Sequence, residues 1–293
     1  MLEAIEKMRK EWAAGDAKRD AGVVDPDLDR YMDIAYGQDA LQVLDVYCPK
    51  GTTSALPTII NVHGGGWFYG DKQLYSHYCM RLAQRGFTVV NFSYRLAPEY
   101  KYPAPLEDTC SVLAWVKEHA AQYYIDLNNL FMLGDSAGGQ LCLQTMLLAS
   151  NPAYRKLFAF GVPEGMRFNA CALNCGCYFI PISRLLKPKR MGAIFEAYFP
   201  EDYLPIVPQL KVKRYITKDF PPAFVMTAQN DYLKFMAAPV ARFLRRKGVE
   251  TEFKIYGTKA QKEVGHVFHV NCHLELAKEC NDAQCAFFKA HVK

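Results

Sequence analysis

The stretch NLFMLGDSAGGQLCLQTMLLAS, Asn129 to Ser150, constrains this chain more than any other. An apolar run of strand length passes without a loop into an apolar run of helix length, and the joint is Gly-Asp-Ser-Ala-Gly-Gly at 134–139. A strand feeding directly into a helix is the unit from which parallel sheets with crossover helices are wound. A serine at this joint could simply cap the helix, but a cap explains neither Gly134 nor the Gly138-Gly139 pair. The pattern G-x-S-x-G in strand-turn-helix context holds its serine exposed at the top of the sheet, which makes Ser136 the candidate nucleophile.

The remaining apolar runs fit the same architecture. PTIINVHG, GFTVVNFSYR (86–95), NACALNCGCYF (169–179), PAFVMTAQND (222–231) and TEFKIYG (251–257) read as strands, and QVLDVYCP (42–49) as an antiparallel entry strand. Leu106, Cys110, Leu113 and Val116 recur at helical spacing after Pro105, and Met236, Val240, Phe243 and Leu244 do so before Gly248. A last helix is expected over about 271–291. The first residues form an amphipathic helix with Ile5, Met8 and Trp12 on one face, without the apolar core of a secretory signal. The segment 181–219 breaks the alternation with prolines, aromatics and basic residues. These features predict one domain over 1–293, with elements from about 1–30 and 181–219 laid over the C-terminal edge of the sheet.

A serine needs a base, and the base needs a carboxylate to orient it. Asp231 ends a predicted strand and opens a predicted helix, which puts it at the same sheet edge as Ser136; the competing reading is a helix N-cap. His266, His269 and His273 follow the last strand, and His266, in a loop after Gly265, is the one placed to reach Ser136. His63 precedes the serine and adjoins Gly64, Gly65 and Gly66, so a structural hydrogen bond is its expected task. Attack on an acyl carbonyl leaves charge on oxygen, which preorganised backbone N–H groups stabilise. Ala137, the residue after the nucleophile, supplies one such group and the HGGG loop the others, because missing Cβ atoms let that backbone approach the substrate.

HGGGW, YRLAPEYKYPAPLED, GDSAGG, an aspartate opening a helix and a histidine followed two residues later by phenylalanine together resemble the hormone-sensitive-lipase-like branch of the α/β-hydrolases, over about Leu56 to Val270. The resemblance implies a mostly parallel eight-stranded sheet under a helical cap and esterase activity without a cofactor. It also implies Gly65 and Gly66 as oxyanion donors alongside Ala137. Three departures stand out. Tyr232 and Phe235 replace the usual Pro-Leu and second acidic residue after the aspartate, Val267 stands in the usual His-Gly-Phe, and the loop before His266 is long. The expected function is a serine carboxylesterase for short-chain, acetyl-like esters. Amide chemistry of the arylformamidase or small-peptidase kind, and a non-catalytic ligand-binding scaffold, stay open.

Other classes are disfavoured. Thirty-five basic against 30 acidic residues leave a formal charge of +5 without dense basic runs, so no nucleic-acid partner is expected. No run approaches the roughly 18 apolar residues that span a bilayer, and the ten cysteines sit in apolar contexts that suit a reduced, cytoplasmic protein. Cys171, Cys175 and Cys177 lack paired metal-ligand spacing, as does the HVNCH group of His269, Cys272 and His273, so neither a metal nor a cofactor is expected. The expected partner is a small-molecule ester, with a homodimer through an exposed edge strand left open.

Overall fold

The computed structural model describes residues 1–17, 27–180 and 192–293. Eight strands form one sheet in the order β1-β2-β4-β3-β5-β6-β7-β8. They are β1 (Leu28–Ala35), β2 (Val43–Pro49), β3 (Leu56–Val62), β4 (Thr88–Phe92), β5 (Ile125–Asp135), β6 (Ala170–Asn174), β7 (Ala223–Ala228) and β8 (Thr251–Tyr256). β1 and β2 pair antiparallel, β2 joins β4 antiparallel, and every later pairing is parallel. The entry strand 42–49 is therefore where its sequence predicts. β1 is a correction: it takes Leu28 to Arg30 from the predicted N-terminal cap element into the sheet edge.

The central strands are buried on both faces, which is why they read as continuous apolar runs. Alternate residues still part company across the sheet. Ile60, Val62, Met132, Cys171, Leu173 and Val225 join one core, and Ile59, Phe131, Leu133, Ala172, Phe224 and Met226 the other. The first core is closed by α3 (Ala104–His119), α4 (Ala137–Ser150) and α7 (Lys234–Arg246), the second by α2 (Ser76–Ala83) and α8 (Glu275–Lys289). α4 is buried from Ala137 through Leu148, the reason its sequence is apolar all round. The last helix, Glu275–Lys289, is shorter than its predicted span of about 271–291: residues 271–274 form a turn ahead of it, closed by Leu274 N–H on Asn271 O.

Two further elements lie over the C-terminal ends of the strands. α1 (Leu2–Asp16) crosses the glycine loop: Arg9 pairs with Glu99 at 2.8 Å and donates to the carbonyls of Phe68 and Ala97, while Trp12 packs on Phe68 and Tyr69. Beside it, α6 (Ala193–Tyr198), which lies beyond the four-residue α5 (Pro152–Arg155) and β6, stacks Tyr198 flat on Trp67 at 4.4 Å. Of the predicted insertion 181–219, residues 181–191 lie outside the described residues; from the predicted N-terminal element, so do residues 18–26. In YRLAPEY, both charged side chains anchor the segment. Arg95 is held by the buried Asp108 carboxylate, and Glu99 reaches α1.

Candidate active site

Ser136 is the single residue between β5 and α4, with φ 53° and ψ −116°. A non-glycine residue in that region is strained, and the neighbours that make the turn fit are small. A Cβ on Gly138 would lie 2.0 Å from the Val62 carbonyl oxygen, so the helix starts in contact with the end of β3 only because that position is glycine. Two backbone bonds hold the turn from the β6 side. Ser136 N–H donates to Asn174 O (3.1 Å), and Cys177 N–H donates to Ser136 O (3.0 Å).

Asp231 and His266 are brought together by an isolated bridge beyond the ends of β7 and β8. Asn230 and Gly265 form a parallel bridge, so the residue after each lies side by side with the other. The long loop before His266 is tied to the same place, since the Asn230 side-chain amide donates to the carbonyls of Thr258 and Gln261. His266 Nδ1 is 2.7 Å from Asp231 Oδ1, and His266 Nε2 is 2.9 Å from Ser136 Oγ. A carboxylate can only accept, so Nδ1 carries the proton and Nε2 is left to accept from the serine hydroxyl. Burial of Asp231 pushes its carboxyl up, but the hydrogen bond and charge of His266, the Thr227 hydroxyl (2.7 Å) and the Leu233 amide (2.8 Å) outweigh it and hold it below its ordinary value.

His269 and His273 do not join this group. His269 is buried in the 3-10 turn 268–270 with its ring edge-on to Tyr78, and His273 is exposed. His63, also buried, hydrogen-bonds the Gly64 carbonyl at 2.6 Å and stacks on Tyr94 at 4.0 Å, the structural task its position suggests. Desolvation brings its imidazole down to about 4, so it is neutral at pH 7.

The glycine loop faces the serine across a cavity of about 200 Å³, lined among others by Trp12, Gly64, Gly65, Tyr69, Ser136 and His266. Gly66 and Ala137 each lie one residue beyond a lining residue, next to Gly65 and Ser136. Gly65 has φ 113°, and a Cβ there would lie 1.8 Å from the Tyr69 carbonyl oxygen. The Gly64 amide is already engaged: it donates to Tyr75 Oη, which donates in turn to the Asp135 carboxylate. This link pins the loop to the strand that carries the serine. Of the aromatics after the glycines, Trp67 and Phe68 are buried packing residues and Tyr69 lines the cavity.

Sequence reasoning missed four contributors. Tyr75 and Asp135 pin the loop, Thr227 holds Asp231, and Tyr232 lays its ring over the His266 imidazole at 4.2 Å while lining the cavity. Tyr232 is visible as a departure from the family pattern; the Tyr75–Asp135 link spans 60 residues, and Thr227, four residues before Asp231, reads as an ordinary strand residue. Among the described residues, one group of side chains with metal-ligating atoms comes together, Cys175, Asp231 and His266. Cys171, Cys177, Cys272 and His273 are not part of it.

A mostly parallel eight-stranded sheet with a strained serine between strand and helix, hydrogen-bonded to a histidine and through it to an aspartate, defines the α/β-hydrolase class. Residues 59–270 match the family described as alpha/beta hydrolase fold, and the chain belongs to that family. It is 40% identical over 100 residues to the versiconal hemiacetal acetate esterase of Dothistroma septosporum, covering 34% of this chain and 30% of that protein. It is 26% identical over 259 residues to the acetyl esterase of Salmonella dublin, covering 85% and 76%. Esterase B from Lactobacillus rhamnosis, solved as a tributyrin phosphonate inhibited form, superposes with a TM-score of 0.88 at 27% identity over 100% of this chain and 95% of that one. The chain spans between about a third and two thirds of the length of the first curated relatives it matches. Among the described residues no helix is long and apolar enough to cross a membrane.

Proposed function

We propose that this protein is a serine carboxylesterase acting on short-chain acyl esters. The observation that carries the reading is the hydrogen-bonded chain from Ser136 Oγ through His266 to Asp231, at 2.9 and 2.7 Å, opening on a cavity of about 200 Å³. Ser136 attacks the ester carbonyl while His266 Nε2 takes its proton and passes it to the leaving alcohol. Asp231 orients the ring and stabilises the imidazolium. The N–H groups of Gly65, Gly66 and Ala137 receive the oxyanion. Water, deprotonated by His266, then attacks the acyl-enzyme and releases the acid. α1 and the described part of 192–219 act as the cap over this cavity.

The short acyl preference rests on the size of the cavity, below the roughly 300–1,000 Å³ usual for small-molecule sites. It agrees with relatives named for acetate and acetyl esters and with the tributyrin phosphonate of the structural neighbour. Hydrolysis of p-nitrophenyl esters from acetate to decanoate tests it. The expected result is a maximum at two to four carbons that disappears in Ser136→Ala. A maximum at eight or ten carbons would overturn the short-chain assignment, and formamide turnover far above that of matched acetates would replace the esterase reading with an amidase.

A further inference from the structure

Cys175 is buried, one residue beyond the end of β6, in a left-handed conformation with φ 45°. Its position is set by the sheet: Cys175 N–H donates to Met226 O at 2.9 Å, continuing the β6–β7 ladder up to the turn that carries Asp231. The sulfur, a carboxylate oxygen of Asp231 and a ring nitrogen of His266 all lie within 4.8 Å of one another. The thiol therefore sits against the Asp231 carboxylate and beside Val267, the residue after His266, and the charge of Asp231 acts on it. Val267 is itself strained, with φ 52°, an unfavourable region for a β-branched side chain.

The Asp231 carboxylate has about four lone-pair sites. Three are taken, by His266 Nδ1, the Leu233 amide and the Thr227 hydroxyl. The Cys175 thiol is the nearby group able to donate to the fourth; it also lies 4.0 Å from Met226 Sδ, to which it can donate and which is a weaker acceptor than a carboxylate. We propose that Cys175 is a positioning residue for the reaction above, its S–H donating to Asp231 and its sulfur accepting from Val267 N–H, so that one side chain ties the aspartate turn to the strained histidine loop. The proposal rests on the esterase reading, because Cys175 acts only through Asp231 and His266. Burial, together with the negative charge of Asp231, pushes the thiol well up, so it stays protonated and able to donate. The other titratable groups facing it are Asp135, Tyr178 and Tyr232. None of them competes as a base for the imidazole proton, since the His266 ring nitrogens are bonded to Asp231 and Ser136.

The test compares Cys175→Ala and Cys175→Ser in the full chain, with p-nitrophenyl butyrate hydrolysis, a pH profile, thermal unfolding and stoichiometric phosphorylation by diethyl p-nitrophenyl phosphate. The expected Ala result is a fall in kcat on the order of 10-fold, the scale of one hydrogen bond to a charged group, with KM unchanged. Its acid limb moves to higher pH, because a carboxylate that has lost a donor holds the imidazolium more strongly. Serine restores an O–H donor and is expected to recover most of kcat. An Ala variant with wild-type kcat and acid limb overturns the proposal, and so do Ala and Ser variants that lose activity alike in step with a lower Tm. If Ala does not fold, Cys175→Gly, which suits the left-handed backbone, takes its place with the same expectations. A wild-type protein that resists phosphorylation overturns the esterase reading and this inference with it. A wild type that is phosphorylated, beside an unaffected variant, overturns the inference alone.

Discussion

Among the described residues, two clusters with buried charge look alike in a residue inventory and differ in what they can do. One is Ser136, His266 and Asp231 with Thr227. The other is Lys72, whose ammonium bridges Asp33 and Asp45 at 2.7 Å each, with Tyr47 donating to the same Asp45 carboxylate. Both contain a residue at positive φ, Asp33 at 56° and Ser136 at 53°, so backbone strain alone does not mark a site. Lys72 and Asp45 are buried and pair charge with charge, which locks the segment after the glycine loop to β1 and β2. The serine cluster ends on a hydroxyl at a cavity wall, where its proton can leave and a substrate atom can arrive. Function follows from that open end.

Substitutions should separate the two clusters cleanly. Ser136→Ala is expected to lower kcat by about 10⁴ to 10⁶-fold with Tm unchanged, measured by ester hydrolysis beside thermal unfolding. Asp231→Asn removes the charge that holds the tautomer, and a loss of roughly 10⁴-fold in kcat is expected. If either variant kept a tenth of wild-type turnover, the distinction would collapse. Lys72→Met should do the opposite. Leaving Asp45 buried and unpaired costs about 3–5 kcal/mol, read as a lower denaturant midpoint, while molecules that remain folded hydrolyse ester at the wild-type rate.

His63 sharpens the comparison, since it borders the glycines and yet behaves as part of the frame. Its folded pKa of about 4 lies below the ordinary value of about 6.5. Between those values the unfolded chain binds a proton that the folded chain excludes. Its contribution is therefore complete above about pH 6.5 and declines as pH falls toward 4, by about 3 kcal/mol. Urea midpoints across that range should show the decline, with a shallower slope in His63→Gln. An identical slope in the variant would assign the acid sensitivity to other groups.

Much of this was legible in the chain itself, and the reasons are local. Parallel strands buried on both faces read as apolar runs, and the turn at Ser136 needs glycines that no other arrangement asks for. Asp231 and His266 follow their strands directly, so chain order places them at one sheet edge. β1 was not legible because its sequence, LDRYMDIA, is polar at an edge and is held by pairing with β2. The Tyr75–Asp135 link spans 60 residues, and the contacts of Trp12 with Phe68 and Tyr69 more than 50. Such links depend on packing rather than on spacing. Cys175 was visible only as one of three cysteines in an apolar strand, and its relation to Asp231 appears once β6 and β7 are aligned.

The most direct measurement is the site of covalent modification. The protein would be treated with diethyl p-nitrophenyl phosphate, digested and read by mass spectrometry, beside His266→Ala. The expected result is one phosphoryl group per chain on Ser136, formed rapidly in the wild type and at least a hundredfold more slowly in the variant, on the order set by loss of a general base. Modification at another residue, or equal rates in the two proteins, would contradict the assignment of Ser136 as a nucleophile activated by His266.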